Sequence, residues 1–469
     1  MSVRVPMRGT GADQPVVVMK ARNGAGAKGL THPAEDGTTT AGGNAGGRIG
    51  PESAKSFPIS KRQVWEAYKR VKANRGAAGV DGQTIEQFEE DLSNNLYKLW
   101  NRLASGSYMP RAVRRVEIPK TDGGTRPLGI PTVADRIAQT VVKQHLEPRL
   151  EEHFHDDSYG YRPGKSARQA LDRARRRCWD YAWVVDLDIK GFFDTIEHEL
   201  LMRALRKHTR ESWVLLYVRR WLEAPVELAD GRTQVRALGT PQGGVISPLL
   251  ANLFLHYVFD VWMQRHHPDV PFERYADDVL CHCRTREQAQ AVLARLTQRF
   301  ADCGLTLHPQ KTRLVYCKDD DRRGDHPETS FDFLGYTFRA RRSKNRWGKH
   351  FVNFSPAISA KAGKRIRQEV RSWKLPTRSD KSLHDLARMF NQRIRGWVNY
   401  YGVFYKSALY PTLRQLDRKL VLWATRKYKR LRGHRRRAAH WLERIARERP
   451  SLFAHWPLLW GQARMGRAG

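Results

Sequence analysis

The heptapeptide Arg274-Tyr275-Ala276-Asp277-Asp278-Val279-Leu280 places two adjacent carboxylates between apolar segments. The alternation around it predicts a β-hairpin over residues 272–284, with Asp277 and Asp278 at the tip. Adjacent carboxylates repel each other, so this arrangement is unfavourable unless a positive charge lies nearby. Asp is also a common turn residue, and a solvated turn would explain the heptapeptide if it stood alone.

A second acidic position favours a functional interpretation. Residues 183–188 form a short apolar run that predicts a strand ending at Asp188. If this strand neighbours the hairpin in one sheet, Asp188 and Asp277 face each other at the strand ends. Two Mg²⁺ ions roughly 3.5–4 Å apart could then bridge them, and Mg²⁺ commonly combines a few carboxylates with substrate phosphates. Asp186, two residues earlier, is interpreted as a packing or salt-bridge residue.

The composition and the hydrophobic periodicity change along the rest of the chain. Residues 1–55 are rich in Gly, Ala, Thr and Pro without apolar periodicity, which predicts a disordered N-terminal extension. Ser60 with Gln63 and Thr84 with Gln87 match capping boxes, which predict two helices. Residues 110–340 alternate between strands and helices, and the pattern after about 355 is helical and basic. The main predictions are strands at 113–118, 312–317 and 331–338, a hairpin tip at 120–124, a hairpin at 226–238, and helices at 84–103, 132–150, 246–264 and 286–302.

The charge balance indicates the class of partner. The chain carries 84 Lys and Arg against 48 Asp and Glu, a formal net charge of +36. Such a surplus favours polyanions. A ribosomal-type basic protein or a membrane-surface binder would share it, but 14 Trp and 40% hydrophobic residues indicate a long folded chain. We therefore expect a nucleic acid as the partner.

The cysteines and the hydropathy pattern bear on location. The five cysteines form no pair at zinc-site spacing, and their odd number suits a reducing cytoplasm. The sequence has no apolar run of about 18 residues, and its N-terminus lacks the apolar core of a secretion signal. We predict a cytoplasmic protein without a membrane partner.

Seven motifs in a fixed order carry a family resemblance. Together they resemble the reverse transcriptase/maturase proteins encoded by bacterial group II introns, over about residues 60–430. They include Tyr159-Gly160-Tyr161-Arg162-Pro163-Gly164 and Gly239-Thr240-Pro241-Gln242-Gly243-Gly244. The motifs occupy residues 118–131, 159–166, 188–194, 239–248, 275–278, 304–312 and 333–335.

The resemblance implies an α+β fold, a right-hand polymerase of fingers, palm and thumb. It implies an RNA-directed DNA polymerase that uses an intron RNA template, a DNA primer or target and deoxynucleoside triphosphates. Asp188 and Asp277 resemble the metal ligands, with Asp278 supporting them, and Mg²⁺ is the expected cofactor. A homodimer is left open.

Five residues are candidates for the family's nucleotide-binding groups. Lys120 and Arg126 resemble fingertip cations that grip the triphosphate, with a point charge and a planar fork respectively; a solvated surface cation is the ordinary alternative. Gln242 lies in a Gly-rich turn where backbone could approach a base pair closely. Either Phe192 or Phe193 resembles the gate that excludes a ribose 2′-hydroxyl, and the other is expected in the core.

The C-terminal part resembles the maturase-type thumb through residues 395–402. Aromatic side chains there suit stacking on RNA, although most of them are better explained as core: Trp373, Trp397, Tyr400, Tyr401 and Trp423. In residues 426–437, eight of twelve positions are Lys or Arg, and such a run needs a polyanion nearby. The predicted RNA-binding residues are Arg426, Lys427, Lys429, Arg430, Arg435, Arg436 and Arg437.

These features predict four regions and one principal function. The regions are a disordered extension (1–55), fingers and palm (56–340), a thumb/maturase-type RNA-binding domain (341–435) and a basic C-terminal tail (436–469). The cysteine pairs of an HNH endonuclease domain do not occur, which resembles the endonuclease-lacking branch of the family. We expect an intron reverse transcriptase that also assists splicing and mobility of its intron. The alternatives are an RNA-binding splicing cofactor with an idle polymerase, or a related reverse transcriptase recruited to phage defence or another non-intron role.

Overall fold

The computed structural model describes residues 56–119, 124–345 and 347–460. The predicted disordered extension (1–55) and Lys120 at the predicted hairpin tip lie outside the described residues. Within the described ranges, every helix is too short or too polar to cross a bilayer. The cytoplasmic location stays a prediction.

Helices occur throughout the described residues, and most of the helices have a Ser, Thr or Glu at the N-cap position. Both predicted capping boxes, at Ser60 and Thr84, are present. The helices are α1 (Lys61–Asn74), α2 (Ile85–Glu89), α3 (Leu92–Ala104), α4 (Val133–Glu151), α5 (Ala167–Asp180), α6 (Phe192–Thr195), α7 (His198–Arg206), α8 (Ser212–Glu223), α9 (Ser247–Leu255), α10 (Val261–His266), α11 (Arg286–Ala301), α12 (Ala360–Ser372), α13 (Leu383–Tyr401), α14 (Tyr410–Lys427), α15 (Arg435–Glu448) and α16 (Trp456–Trp460).

The strands form three sheets with the orders β2-β1-β4-β5, β6-β7-β3-β8 and β11-β10-β9. We call the second of these the palm sheet. The strands are β1 (Val113–Pro119), β2 (Thr125–Ile130), β3 (Trp183–Leu187), β4 (Val226–Glu227), β5 (Thr233–Gln234), β6 (Phe272–Tyr275), β7 (Asp278–Cys283), β8 (Arg313–Tyr316), β9 (Ser330–Phe333), β10 (Tyr336–Lys344) and β11 (His350–Ile358).

The palm sheet lies between two hydrophobic cores. All neighbouring strands in it are antiparallel, and successive side chains of a strand point to opposite faces. Val185 and Leu187 of β3 pack into a core shared with the N-terminal helices α1, α3 and α4. Val184 packs into a second core shared with the C-terminal helices. The structure is therefore α+β, as expected, with one sheet serving both cores.

The C-terminal region differs from the predicted boundaries. Position 340 lies inside β10, so the proposed border between palm and thumb cuts a strand. Residues 436–460, assigned to a basic tail, contain most of α15 and all of α16, and they bury Leu442, Phe453 and Trp456 in the second core. Cations dominate the composition of this segment, but the residues that pack into the second core are the apolar ones at helical spacing along α15.

Other differences concern interruptions that periodicity does not reveal. The helix predicted over 246–264 is broken by a π-helical turn at His256–Asp260. The helix predicted over 84–103 is two helices, α2 and α3. The strand predicted over 331–338 is β9 and part of β10, separated by a turn at Leu334, where φ is 50°. Strand β11, which pairs with β10 along nine residues, falls partly where a helical pattern was expected.

Candidate active site

Three carboxylates meet at one end of the palm sheet. Strand β3 pairs with β7 up to Leu187 opposite Val279, so Asp188 follows directly, level with Asp278 at the start of β7. Tyr275 pairs with Asp278 across a two-residue turn that contains Asp277. The predicted juxtaposition of the strand end at Asp188 and the hairpin tip at Asp277 is therefore present.

The segment 304–312 holds the end of β3. The amide of His308 donates to the carbonyl of Asp188 at 2.7 Å, and the amide of Lys190 donates to that of Thr306 at 2.8 Å. Lys311 Nζ lies 3.4 Å from Asp188 Oδ2. Lys311 thus places a cation directly on a candidate metal ligand.

The carboxylates perturb one another. Burial raises the pKa of Asp277, and Asp188 raises it further, whereas Arg126 and Arg274 act to lower it. Burial and the charges of Asp277, Asp186 and Asp188 raise the pKa of Asp278 to about 8. Because the Asp278 side chain is solvent-exposed, carboxylate repulsion is the firmer of these causes. The site holds more negative charge than its own cations neutralise.

Asp186 makes the expected salt bridge. Arg313 Nη2 lies 3.2 Å from Asp186 Oδ2, on the neighbouring strand β8. Burial raises the pKa of Asp186 to about 6, while Arg313 acts to lower it. Its carboxylate is thus engaged by the protein, in contrast to that of Asp278.

The donor set suits a hard divalent cation without forming a cage. No three His, Cys, Asp or Glu side chains in the described ranges converge closely enough to hold an ion on their own. Asp188, Asp277 and Asp278 nevertheless supply only oxygen donors, and the raised pKa values of Asp277 and Asp278 reflect a repulsion that a cation would relieve. Mg²⁺ typically completes its octahedron with water and substrate phosphates, so the donor set fits this ion.

Arg126 and Tyr161 face the carboxylates. Arg126 lies on β2, opposite Ile118 of β1, close enough to Asp277 to lower its pKa. Burial and the charge of Asp277 raise the pKa of Tyr161 to about 12. Tyr161 has φ of 59° and remains 47% exposed. It lies in one of the seven motifs, but its residue type gave no reason to assign it to the site.

The Gly-rich loop carrying Gln242 is fixed to β2. The amide of Gly129 donates to the carbonyl of Gln242 at 2.6 Å. Gly243 has φ of 114°, and a Cβ there would lie 2.4 Å from the carbonyl oxygen of Gly129. The close backbone approach expected of these glycines is thus made to β2. The loop bearing Gln242 and the strand bearing Arg126 form one unit.

The two adjacent phenylalanines occupy different environments. Phe192 is buried at 3% exposure, and its ring lies 6.5 Å from that of Phe254. Phe193 is half-buried, and its carbonyl accepts from the amide of Thr240 at 2.7 Å. Phe193 is therefore the more accessible of the two rings.

The C-terminal cations are far less constrained. The predicted RNA-binding residues are exposed except for Lys427, which is half-buried and donates to the carbonyl of Ser379 at 2.8 Å. Among the described residues, no acidic group pairs within 4.0 Å with any of Lys429, Arg430, Arg435, Arg436 and Arg437. The aromatic side chains here are mainly core: Trp423 is fully buried, and Trp373 stacks between Phe390 and Trp397.

Two protein-family models match the chain. The model described as reverse transcriptase (RNA-dependent DNA polymerase) matches residues 118–338, which run from the end of β1 into β10 and include all three carboxylates. The model described as group II intron, maturase-specific domain matches residues 363–441, from α12 into α15.

The chain is also similar to individual proteins. Protein YkfC of Escherichia coli K12 is 31% identical over 356 residues, which cover 65% of this chain and 90% of that protein. The group II intron-encoded protein LtrA of Lactococcus lactis is 36% identical over 193 residues, covering 40% of this chain and 32% of LtrA. A telomerase structure from Candida albicans has a TM-score of 0.43 at 12% identity, covering 81% of this chain and 69% of that one.

Proposed function

The chain belongs to the family of group II intron-encoded reverse transcriptases with a maturase domain, and we propose that it copies RNA into DNA by a two-metal mechanism. The observation that carries this proposal is the meeting of Asp188, Asp277 and Asp278 at one end of the palm sheet. We further propose that it assists the splicing and mobility of an intron, since residues 363–441 match the maturase-specific domain. The chain spans about a third of the length of LtrA.

Some residues of the site are proposed to act through their charge, and others through the shape that they give to the nucleotide site. Asp188, Asp277 and Asp278 would hold two Mg²⁺ ions, which would supply Lewis-acid activation of a primer 3′-hydroxyl and neutralise charge on the leaving pyrophosphate. Arg126 presents a planar fork to the triphosphate of an incoming deoxynucleotide. Lys120, which lies outside the described residues, is proposed to contribute a second cation. Gln242, fixed to β2, would line the floor beneath the nucleotide.

Phe193 is the better candidate for sugar selection. It is half-buried beside the loop of Gln242, whereas Phe192 is packed in the core. A ring in that position would collide with a 2′-hydroxyl and admit a deoxyribose. We therefore assign the gate to Phe193 in this proposal.

The C-terminal cations are proposed to bind the intron RNA. Arg435, Arg436 and Arg437 occupy the first turn of α15, where the helix dipole already favours an anion. The positive end of the helix dipole and the three arginines repel each other, so the arrangement is favourable only when a phosphate lies nearby. An RNA backbone would satisfy both charges at once.

The deciding experiment substitutes Asp277 with Ala and measures cDNA synthesis and RNA binding on the same preparation. We expect synthesis to be abolished while RNA affinity changes little, because the C-terminal cations are untouched. Asp321→Ala is the matched control, because Asp321 is an exposed carboxylate. It lies in the loop after β8, and β8 ends where Tyr316 pairs with Trp183, at the end of β3 opposite to Asp188. Near-normal synthesis by Asp277→Ala would rule out the metal assignment.

A further inference from the structure

A fully buried arginine leads into the turn that carries Asp277. Arg274 of β6 has none of its surface exposed. Its Nε and Nη2 donate to Asp260 at 2.7 and 2.6 Å, and its Nη1 donates to Asn252 Oδ1 at 3.0 Å and to the carbonyl of Ala276 at 3.2 Å. A buried charge costs several kcal/mol unless it is fully paired, and this one is satisfied on all sides.

The bond to Ala276 acts on the backbone of the turn. Ala276 has φ of 58°, a left-handed conformation that is unfavourable for a residue other than glycine. Two-residue hairpin turns with positive φ at the first central position normally carry Gly, Asn or Asp there. The carbonyl that Arg274 holds belongs to the peptide bond between Ala276 and Asp277, so the contact fixes the backbone from which the Asp277 carboxylate projects.

The other side of the turn rests against Gly160. A Cβ at Gly160 would lie 2.3 Å from the amide nitrogen of Ala276, so only glycine permits this contact. Asn252 Nδ2 donates to the carbonyl of Gly160 at 2.7 Å. Asn252 therefore joins the two supports, accepting from Arg274 and donating to Gly160.

The anchor of the arrangement is Asp260, which ends the π-helical turn His256–Asp260. Burial acts to raise the pKa of Asp260, but Arg274 outweighs it and lowers the pKa to about 2. Asp260 therefore stays ionised, and its pair with Arg274 persists, across the pH range in which a polymerase works. Single π-helical turns inside α-helices frequently occur at functional sites.

We propose that Arg274 is a positioning residue for the metal-binding carboxylates: held by Asp260 and Asn252, it keeps Ala276 left-handed and so orients Asp277. The inference rests on the proposed function, in which Asp277 binds metal. It predicts that the strength of metal binding depends on a group that never touches the metal.

The neighbouring residue of the same strand provides a matched comparison. Glu273 is also fully buried and accepts from Arg177 Nη1 at 2.6 Å, and Arg177 Nη2 lies 2.6 Å from Asp157 Oδ2. Consecutive strand residues point to opposite faces, and no hydrogen bond of Arg177 within the described residues reaches the turn. Arg177→Lys thus damages an ionic cluster of similar chemistry without releasing Ala276.

The experiment compares the full-length Arg274→Lys, Asn252→Leu and Arg177→Lys variants with the wild type. Mn²⁺ binding is followed by electron paramagnetic resonance without substrate, and kcat, KM for the nucleotide and melting temperature are measured in parallel. We expect Arg274→Lys to bind Mn²⁺ more weakly and to lose about 10- to 100-fold in kcat, since misplacement by about 1 Å costs this much. KM should stay within about twofold. Asn252→Leu should change in the same direction.

Arg177→Lys should keep wild-type Mn²⁺ affinity and kcat at a comparable loss of melting temperature. Equal Mn²⁺ affinity and kcat in Arg274→Lys and Arg177→Lys would overturn the inference. If Arg274→Lys does not fold, the comparison of Asn252→Leu with Arg177→Lys tests the same contact. Failure of the proposed function is distinguishable, because the wild type itself would then extend no primer, and the inference would fall with it.

Discussion

The end of the palm sheet and the cationic run 426–437 both concentrate like charges, but they do so in opposite ways. In the palm, Asp188, Asp277 and Asp278 crowd into one cleft, and this crowding raises the pKa values of Asp277 and Asp278. In the run, the cations are spread over the end of α14 and the start of α15, and nearly all face solvent. The first arrangement fits a small, highly charged ion at a fixed point, and the second fits a long polyanion. Single charges should therefore be indispensable in the palm and only incrementally useful in the run.

The sharpest test of that difference concerns two aspartates of one strand end. Asp188→Asn should reduce primer extension by at least about 10²- to 10³-fold, the loss expected when a group that stabilises transition-state charge is removed. Asp186→Asn should cost less than about tenfold, since Asp186 pairs with Arg313. Extension rates at saturating substrate measure both. The reverse order of effects would exchange the roles of the two residues.

A second test stays within the palm but removes no charge. Phe193→Ala should increase incorporation of ribonucleotides relative to deoxyribonucleotides by about 10- to 100-fold, because the ring that would exclude the 2′-hydroxyl is gone. Phe192→Ala should instead destabilise the fold by about 3–5 kcal/mol, as for other buried aromatics. Competition assays and denaturant unfolding separate the two outcomes. Unchanged sugar discrimination in both variants would discard the gate.

The graded behaviour expected of the cationic run can be measured by salt titration. Replacing Arg435, Arg436 and Arg437 with Gln should weaken intron RNA binding and lower the salt slope by about 0.7–0.9 per lost phosphate contact. Extension of a pre-annealed primer–template at saturating concentration should stay near the wild-type rate. The matched control replaces Arg388, Arg444 and Arg447, which pair with Asp385, Glu448 and Glu443. An unchanged slope, or a parallel fall in extension, would contradict a separate RNA-binding surface.

The smallest effect is a pH dependence of stability. Burial and neighbouring carboxylates raise the pKa of Asp278 to about 8, from 3.8. The folded state then holds this proton more tightly, so its stability falls as pH rises from about 4 to about 8. Asp278→Asn lacks this loss, and its melting temperature relative to the wild type should rise by about 1–3 °C over that range without Mg²⁺. Saturating Mg²⁺ should reverse this rise, because the wild-type carboxylate gains a partner; a constant difference with and without Mg²⁺ would contradict the prediction.

Much of the site was predictable because its signals are local. Alternating apolar residues on either side of Asp188 and Asp277 predicted two strand ends, and a single pairing of β3 with β7 brings them together. Capping boxes at Ser60 and Thr84 likewise depend on residues three positions apart. Where structure follows from neighbouring residues, periodicity and spacing were enough.

The rest depends on contacts between distant segments. The sequence around Asp260 has the same helical periodicity whether or not a π-helical turn is present, and its partner Arg274 is fourteen residues away. Which of Phe192 and Phe193 is buried depends on how α6 meets Phe254. The packed helices at 435–460 were concealed by their cations, because composition records the exposed face of α15 more strongly than Leu442 and Ala446 beneath it.

Because the palm sheet is buried on both faces, the two halves of this chain depend on each other and should be inherited together. Residues 118–338 and 363–441 match different family models, yet Val184, Leu280 and Val315 belong to a core that combines α5 with the C-terminal helices. A fragment cut at 340 would keep α5 but lose the C-terminal part of this core, and would therefore expose apolar residues on that side of the sheet to water. The two halves can be separated as stretches of gene. A recombination event that replaced the C-terminal half would have to bring in side chains that match those of β3, β7 and β8 in the shared core.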